Sequence, residues 1–176
     1  MCNDAEERLV SGKSEICHQR VVVIGLGSRY RGDDGIGEYV LEGLRNNGHD
    51  NQSVTLVDGV DDALAIISAW EDTDLAVVID AAQSGAIAGT IHYLEGDSAV
   101  YPRGLAACSS HGLGLAEALK LGRLLKRMPG RLLVYAVEVG QVDAGTTLSE
   151  PVRVAGDTLR RIVGAELAPY AGVDLA

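Results

Sequence analysis

Three runs in this chain are apolar almost from end to end: VVVIGLG (Val21 to Gly27), LAVVIDA (Leu75 to Ala81) and RLLVYAVEVG (Arg131 to Gly140). A strand with one wet face alternates polar and apolar residues, whereas a run without alternation must be covered on both faces. Runs of this length are far too short to span a bilayer. They demand a sheet with helices above and below it. The chain has 22 glycines and no phenylalanine, so its core must rest on Val, Ile, Leu and Ala, as a buried parallel sheet requires.

The segments between these runs supply the helices. In GIGEYVLEGLRNNG, Ile36, Val40, Leu41 and Leu44 fall on one helical face, and Gly48 marks a C-terminal stop. Ser53 to Gly59 reads as a second strand, and Asp61 to Trp70 as a helix with Leu64, Ile67 and Trp70 inward. Gly89 to Asp97 alternates more and suits an edge strand, with Ile91 and Tyr93 on one face. Ser109 or Ser110 can cap a helix from about His111 to Lys126, and Ser149-Glu150-Pro151 opens a last helix to about Leu167. Strands separated by helices imply right-handed crossovers. The expected fold is therefore α/β: a three-layer α/β/α domain over residues 21–168 with a twisted, mainly parallel central sheet. A flexible acidic extension (1–20) and a loose tail (169–176) flank it.

Charge narrows the partners. With 25 acidic against 15 basic residues the formal net charge is -10, a field that repels nucleic acid and anionic membranes. The first twenty residues are polar and lack the apolar run of a signal peptide. Cys2, Cys17 and Cys108 are too few and too scattered for a disulfide framework. A cytoplasmic protein is expected.

In open parallel sheets the chemistry lies at the carboxyl ends of the strands. That edge should collect Asp33 and Asp34 after the first strand, Asp58 after the second, Asp80 after the third, Glu138 after the last, and His111 at a helix start. Two carboxylates and an imidazole form a mixed ligand set suited to Zn, Ni, Mn or Co. Each residue also has an ordinary structural use: Asp33 as a helix N-cap, Glu138 as a hydrogen-bond acceptor for a loop, His92 against solvent or a neighbour. Cys108 among small residues reads as packing, and no serine sits in a GxSxG elbow. The glycine turn GLGSRYRGDDG places Tyr30 where a dinucleotide fingerprint needs its third glycine, and two acids follow where a pyrophosphate would bind.

These residues resemble a known family. VVVIGLGSRYRGDDGIGEYV is similar to the opening of the hydrogenase-maturation endopeptidases, which read as a strand, G-x-G-N, a spacer, and D-D/E-G-x-G. VDG (Val57 to Gly59), VVIDAAQSG (Val77 to Gly85), SSHGLGLAEAL (Ser109 to Leu119) and VYAVEVG (Val134 to Gly140) follow in the family's order. The resemblance runs from Val21 to about Leu167. One departure is Ser28, where the family usually has Asn.

The resemblance implies a phosphorylase/hydrolase-like fold. It implies removal of a short C-terminal extension from the precursor of a nickel–iron hydrogenase large subunit, after nickel insertion. It also implies Asp34, Asp80 and His111 as the catalytic, metal-binding trio, with nickel supplied by the substrate as the recognition element and no nucleotide cofactor. Two other readings stay open: a related metal-dependent peptidase with another substrate, and a non-catalytic nucleotide-binding module.

Overall fold

A computed structural model describes residues 19–60, 62–96, 114–140, 142–145 and 147–170. Its elements alternate as the apolar runs require: β1 (Val21–Gly25), α1 (Ile36–Asn46), β2 (Val54–Val57), α2 (Ala63–Trp70), β3 (Leu75–Ala82), β4 (Ile91–Glu95), α3 (Gly114–Leu125), β5 (Arg131–Glu138) and α4 (Glu150–Leu167). A 3-10 turn at Gly32–Gly35 leads into α1, and another at Ala168–Tyr170 follows α4. The strands form one five-stranded sheet in the order β2-β1-β3-β5-β4. Four strands are parallel, and β4 pairs antiparallel on β5, with His92 opposite Ala136.

Period-two alternation sorts the strand residues onto two faces. Val21, Val23, Val77, Ile79, Leu133 and Tyr135 meet α1 and α4 in one core. Val22, Ile24, Ala76, Val78, Leu132 and Val134 meet α2 and α3 in the other. Every residue of β1 and β3 is buried. The three-layer α/β/α expectation is met, and the alternating GTIHYLEGD segment is indeed an edge strand.

One helix faces differently from its sequence reading. In α2, Ile66, Ile67 and Trp70 are buried, while Leu64 is exposed. Asp62 starts this helix, its carboxylate accepting from the N–H groups of Leu64 and Ala65. Trp70 closes the far end, its indole N–H donating to the Arg127 carbonyl at 3.0 Å. Tyr170, in the turn after α4, packs against the core. The described part of α3 begins at Gly114; His111 and its Ser109 and Ser110 caps lie outside the described residues.

A candidate active site at the carboxyl edge of the sheet

β1 ends at Gly25, and the chain turns over the sheet edge through Leu26 and Gly27. The Leu26 N–H still donates to Ile79 of β3, so the turn stays clamped to the neighbouring strand. Gly27 adopts φ +101, and a Cβ there would lie 2.0 Å from the Asp34 carbonyl oxygen. Only glycine allows this approach. The returning 3-10 turn packs against β3 and places Asp34 at the edge with no exposed surface. The Ser28 N–H donates to the Asp34 carboxylate at 2.9 Å, and the Arg31 guanidinium stands 4.0 Å from the same oxygen.

Asp80 lies in β3, the strand beside β1, and is 2% exposed. One of its oxygens accepts from the N–H of Ala81 at 2.8 Å. Alternation puts Asp80 on the sheet face of Val78 and Ala76, which is the face covered by α2 and α3. Asp34 and Asp80 therefore share the carboxyl edge of adjacent strands. His111 lies outside the described residues. Among the described residues no group of three or more His, Cys, Asp or Glu side chains is arranged to hold a metal ion. Carboxylate oxygens are hard donors, and two carboxylates are buried at this edge.

The other acids of the edge have structural partners. Asp33 does not cap a helix as the sequence suggested. It is fully buried and accepts from the Ser149 N–H (2.6 Å), the Ser149 hydroxyl (2.9 Å) and the Gly140 N–H (3.2 Å). This carboxylate ties the β1 turn to the segment between β5 and α4. Backbone bonds from Gly32 to Gly145 and from Gly145 to Tyr30 reinforce the tie. Asp58 pairs with Arg45 at 2.7 Å.

Glu138 is the loop acceptor expected of it. Its carboxylate takes the Ser84 hydroxyl (2.8 Å) and the N–H groups of Gly85 (2.7 Å) and Ala86 (3.0 Å), with His92 Nε2 at 3.2 Å. Burial pushes its pKa up, yet those donors outweigh burial and the net shift is downward from 4.5. His92 thus faces a neighbour.

Beside Asp34 opens a cleft of about 370 Å³, lined by Gly25, Gly27, Tyr30, Glu38, Asp58 and Val60 among others. Arg29 and Glu38 form a 2.8 Å ion pair at its wall, and Tyr30 is 69% exposed. Neither the Asp33 tie nor this cleft was readable in the sequence, because the partners are separated by up to 116 residues.

A family model for hydrogenase maturation proteases matches residues 39–166. The chain belongs to the hydrogenase maturation protease family. The matched span includes Asp80 and His111 and begins after Asp34. Among similar proteins, the hydrogenase expression/formation protein HupM of Azotobacter chroococcum mcd 1 is 27% identical over 149 residues, covering 84% of this chain and 71% of the relative. HupD of Rhizobium leguminosarum bv. viciae is 28% identical over 135 residues, covering 76% and 67%. The solved hydrogenase maturating endopeptidase HybD from E. coli superposes with a TM-score of 0.72 at 22% identity, covering 87% of this chain and 94% of that one. The [NiFe] hydrogenase maturation protease HybD from Thermococcus kodakarensis gives 0.66 at 21%, covering 85% and 99%. These two structures share the fold. Membership in the maturation protease family makes this chain a peptidase. No helix among the described residues is long and apolar enough to cross a membrane.

Proposed function

We propose that this chain removes a C-terminal extension from a nickel–iron hydrogenase large-subunit precursor once nickel has been inserted. The observation that carries the reading is the pair of buried carboxylates at the carboxyl edge, Asp80 in β3 and Asp34 in the turn after the adjacent β1, the latter bonded by Ser28, which lines an open cleft. In a family of maturation proteases, such a pair provides ligands and a proton acceptor where a peptide can lie.

In this reading nickel belongs to the substrate and is what the enzyme recognises. Asp34, Asp80 and His111 approach it, and the scissile peptide lies along the cleft past Gly27 and Tyr30. A divalent ion there polarises the carbonyl and acidifies a water. Asp34 or Asp80 takes the proton of the attacking water and returns it to the departing amine. The enzyme itself carries no nucleotide and works in the cytoplasm.

The test is intact-mass spectrometry of the precursor, nickel-loaded and nickel-free, after incubation with wild-type protein and the Asp34→Asn, Asp80→Asn and His111→Ala variants. Loss of a C-terminal peptide from the loaded form alone, abolished in all three variants, is expected. Equal cleavage of the nickel-free form refutes recognition through nickel. Normal cleavage by the three variants refutes the assigned site.

A further inference from the structure

The chain leaves β3 through an exposed turn, Gln83–Gly89, that starts three residues after Asp80. Its tip is Ile87, 84% exposed. A single exposed isoleucine is unremarkable by itself. The foundation beneath this one is not ordinary.

Glu138, almost fully buried, receives the Ser84 hydroxyl and the Gly85 and Ala86 N–H groups. The Thr90 hydroxyl and N–H both bond the Ile87 carbonyl, and the Gly89 N–H bonds the Glu138 carbonyl. Gly85 and Gly89 take φ +91 and +87, and a Cβ on Gly89 would lie 2.6 Å from the Pro151 carbonyl. Bonds from Ser84, Gly85, Ala86, Gly89 and Thr90 thus brace the turn on both sides of its tip. These bonds satisfy the buried Glu138, but they do not require an isoleucine at the tip, where most of the side chain stays in water.

The location says what the tip can touch. Ala88 lies against Gly140, whose N–H bonds Asp33, and Gly89 lies against Pro151, two residues after the Ser149 that also bonds Asp33. The tip, Asp33 and Asp34 are thus stations along one continuous edge. In the functional reading above, that edge is where a bound precursor rests, with Ile87 seven residues after Asp80.

We infer that Ile87 is a substrate-specificity residue, inserting into an apolar depression on the folded body of the large-subunit precursor, and that Glu138 is its positioning residue. This rests on the functional reading above. The extension to be removed occupies the cleft, and the body it is cut from rests on the tip. A preformed apolar anchor beside the reacting groups raises affinity without taking part in chemistry.

The test measures binding of nickel-loaded precursor to full-length protein by interferometry, together with KM and kcat for its cleavage. Ile87→Asp should weaken binding and raise KM about tenfold or more, with kcat within twofold, and Ile87→Leu should restore both. Glu138→Gln should raise KM in the same way without altering kcat. Leu124→Asp, at an equally exposed leucine on α3, should bind as wild type. A wild type that binds while Ile87→Asp binds equally overturns the inference alone. A wild type that binds no precursor overturns the functional reading, and the inference with it. Equal weakening by Leu124→Asp also overturns it, because the effect would then be general surface charge.

Discussion

Replacing Gly27 by alanine tests the link between backbone geometry and the Asp34 carboxylate. At φ +101 an L side chain costs about 1–2 kcal/mol. The larger effect is steric. The new methyl would sit 2.0 Å from the Asp34 carbonyl oxygen and 3.3 Å from its Oδ1, so backbone must move from backbone by more than an ångström. Asp33, buried in the same turn, holds that turn against Ser149 and Gly140, so the turn cannot give way as a body. Overpacking of this kind costs about 1–3 kcal/mol, for a combined loss of about 2–5 kcal/mol. The Ser28 bond to the Asp34 carboxylate should break, and a displacement of about 1 Å in a reacting group costs on the order of 100-fold in rate.

Gly48→Ala is the control. Its φ is +75 but nothing lies within 4 Å of the added Cβ. It should lose about 1 kcal/mol, or about 2–4 °C in Tm for a chain of this size, and keep its full rate. Urea unfolding can be followed by the emission of Trp70, the sole tryptophan and fully buried. Activity is read from precursor cleavage by intact mass. If the two variants match in both stability and rate, the steric argument for Gly27 is wrong.

Three further outcomes follow from the contacts described above. Asp33→Ala orphans three donors at once and should lower stability by about 3 kcal/mol or more, whereas Ser149→Ala, which removes one hydroxyl donor, should cost about 1 kcal/mol; urea midpoints decide. Because the folded pKa of Glu138 is lowered from 4.5, its contribution to stability is complete above pH 4.5 and is lost as pH falls through the lowered value. Glu138→Gln should therefore be less stable at neutral pH and show a flatter acid limb, measured by urea midpoints from about pH 6 to pH 3. Asp62→Ala removes the cap of α2 and should cost about 1 kcal/mol, without effect on precursor cleavage.

What the sequence made legible was whatever has a local cause. Unbroken apolar runs can exist only between two covering layers, so β1, β3 and β5 were readable almost to their ends. An acid that closes such a run, as Asp80 does, or lies in the turn that follows it, as Asp34 does, falls at the carboxyl edge, which is why both could be placed on one rim. The face of α2 was misread at Leu64 because ALAIISAW is apolar nearly all round and its eight residues offer no period to choose a side. The Asp33 tie was invisible for a different reason. Ser149 lies 116 residues away, and no local pattern distinguishes a carboxylate that reaches across the fold from one that caps its own helix.

In the β3–β5 ladder, Asp80 sits opposite Ala136, and Glu138 opposite Ala82, so both acids alternate onto one face with two alanines between them. A slip of one residue in β3 would turn Asp80 into the core shared by α1 and α4, and a slip in β5 would do the same to Glu138. An unpaired carboxylate there is intolerable to the fold. Misregistered chains of this protein are therefore not weak enzymes that could release wrongly cut product. They are failed folds, so that the register of this edge is enforced by the core itself.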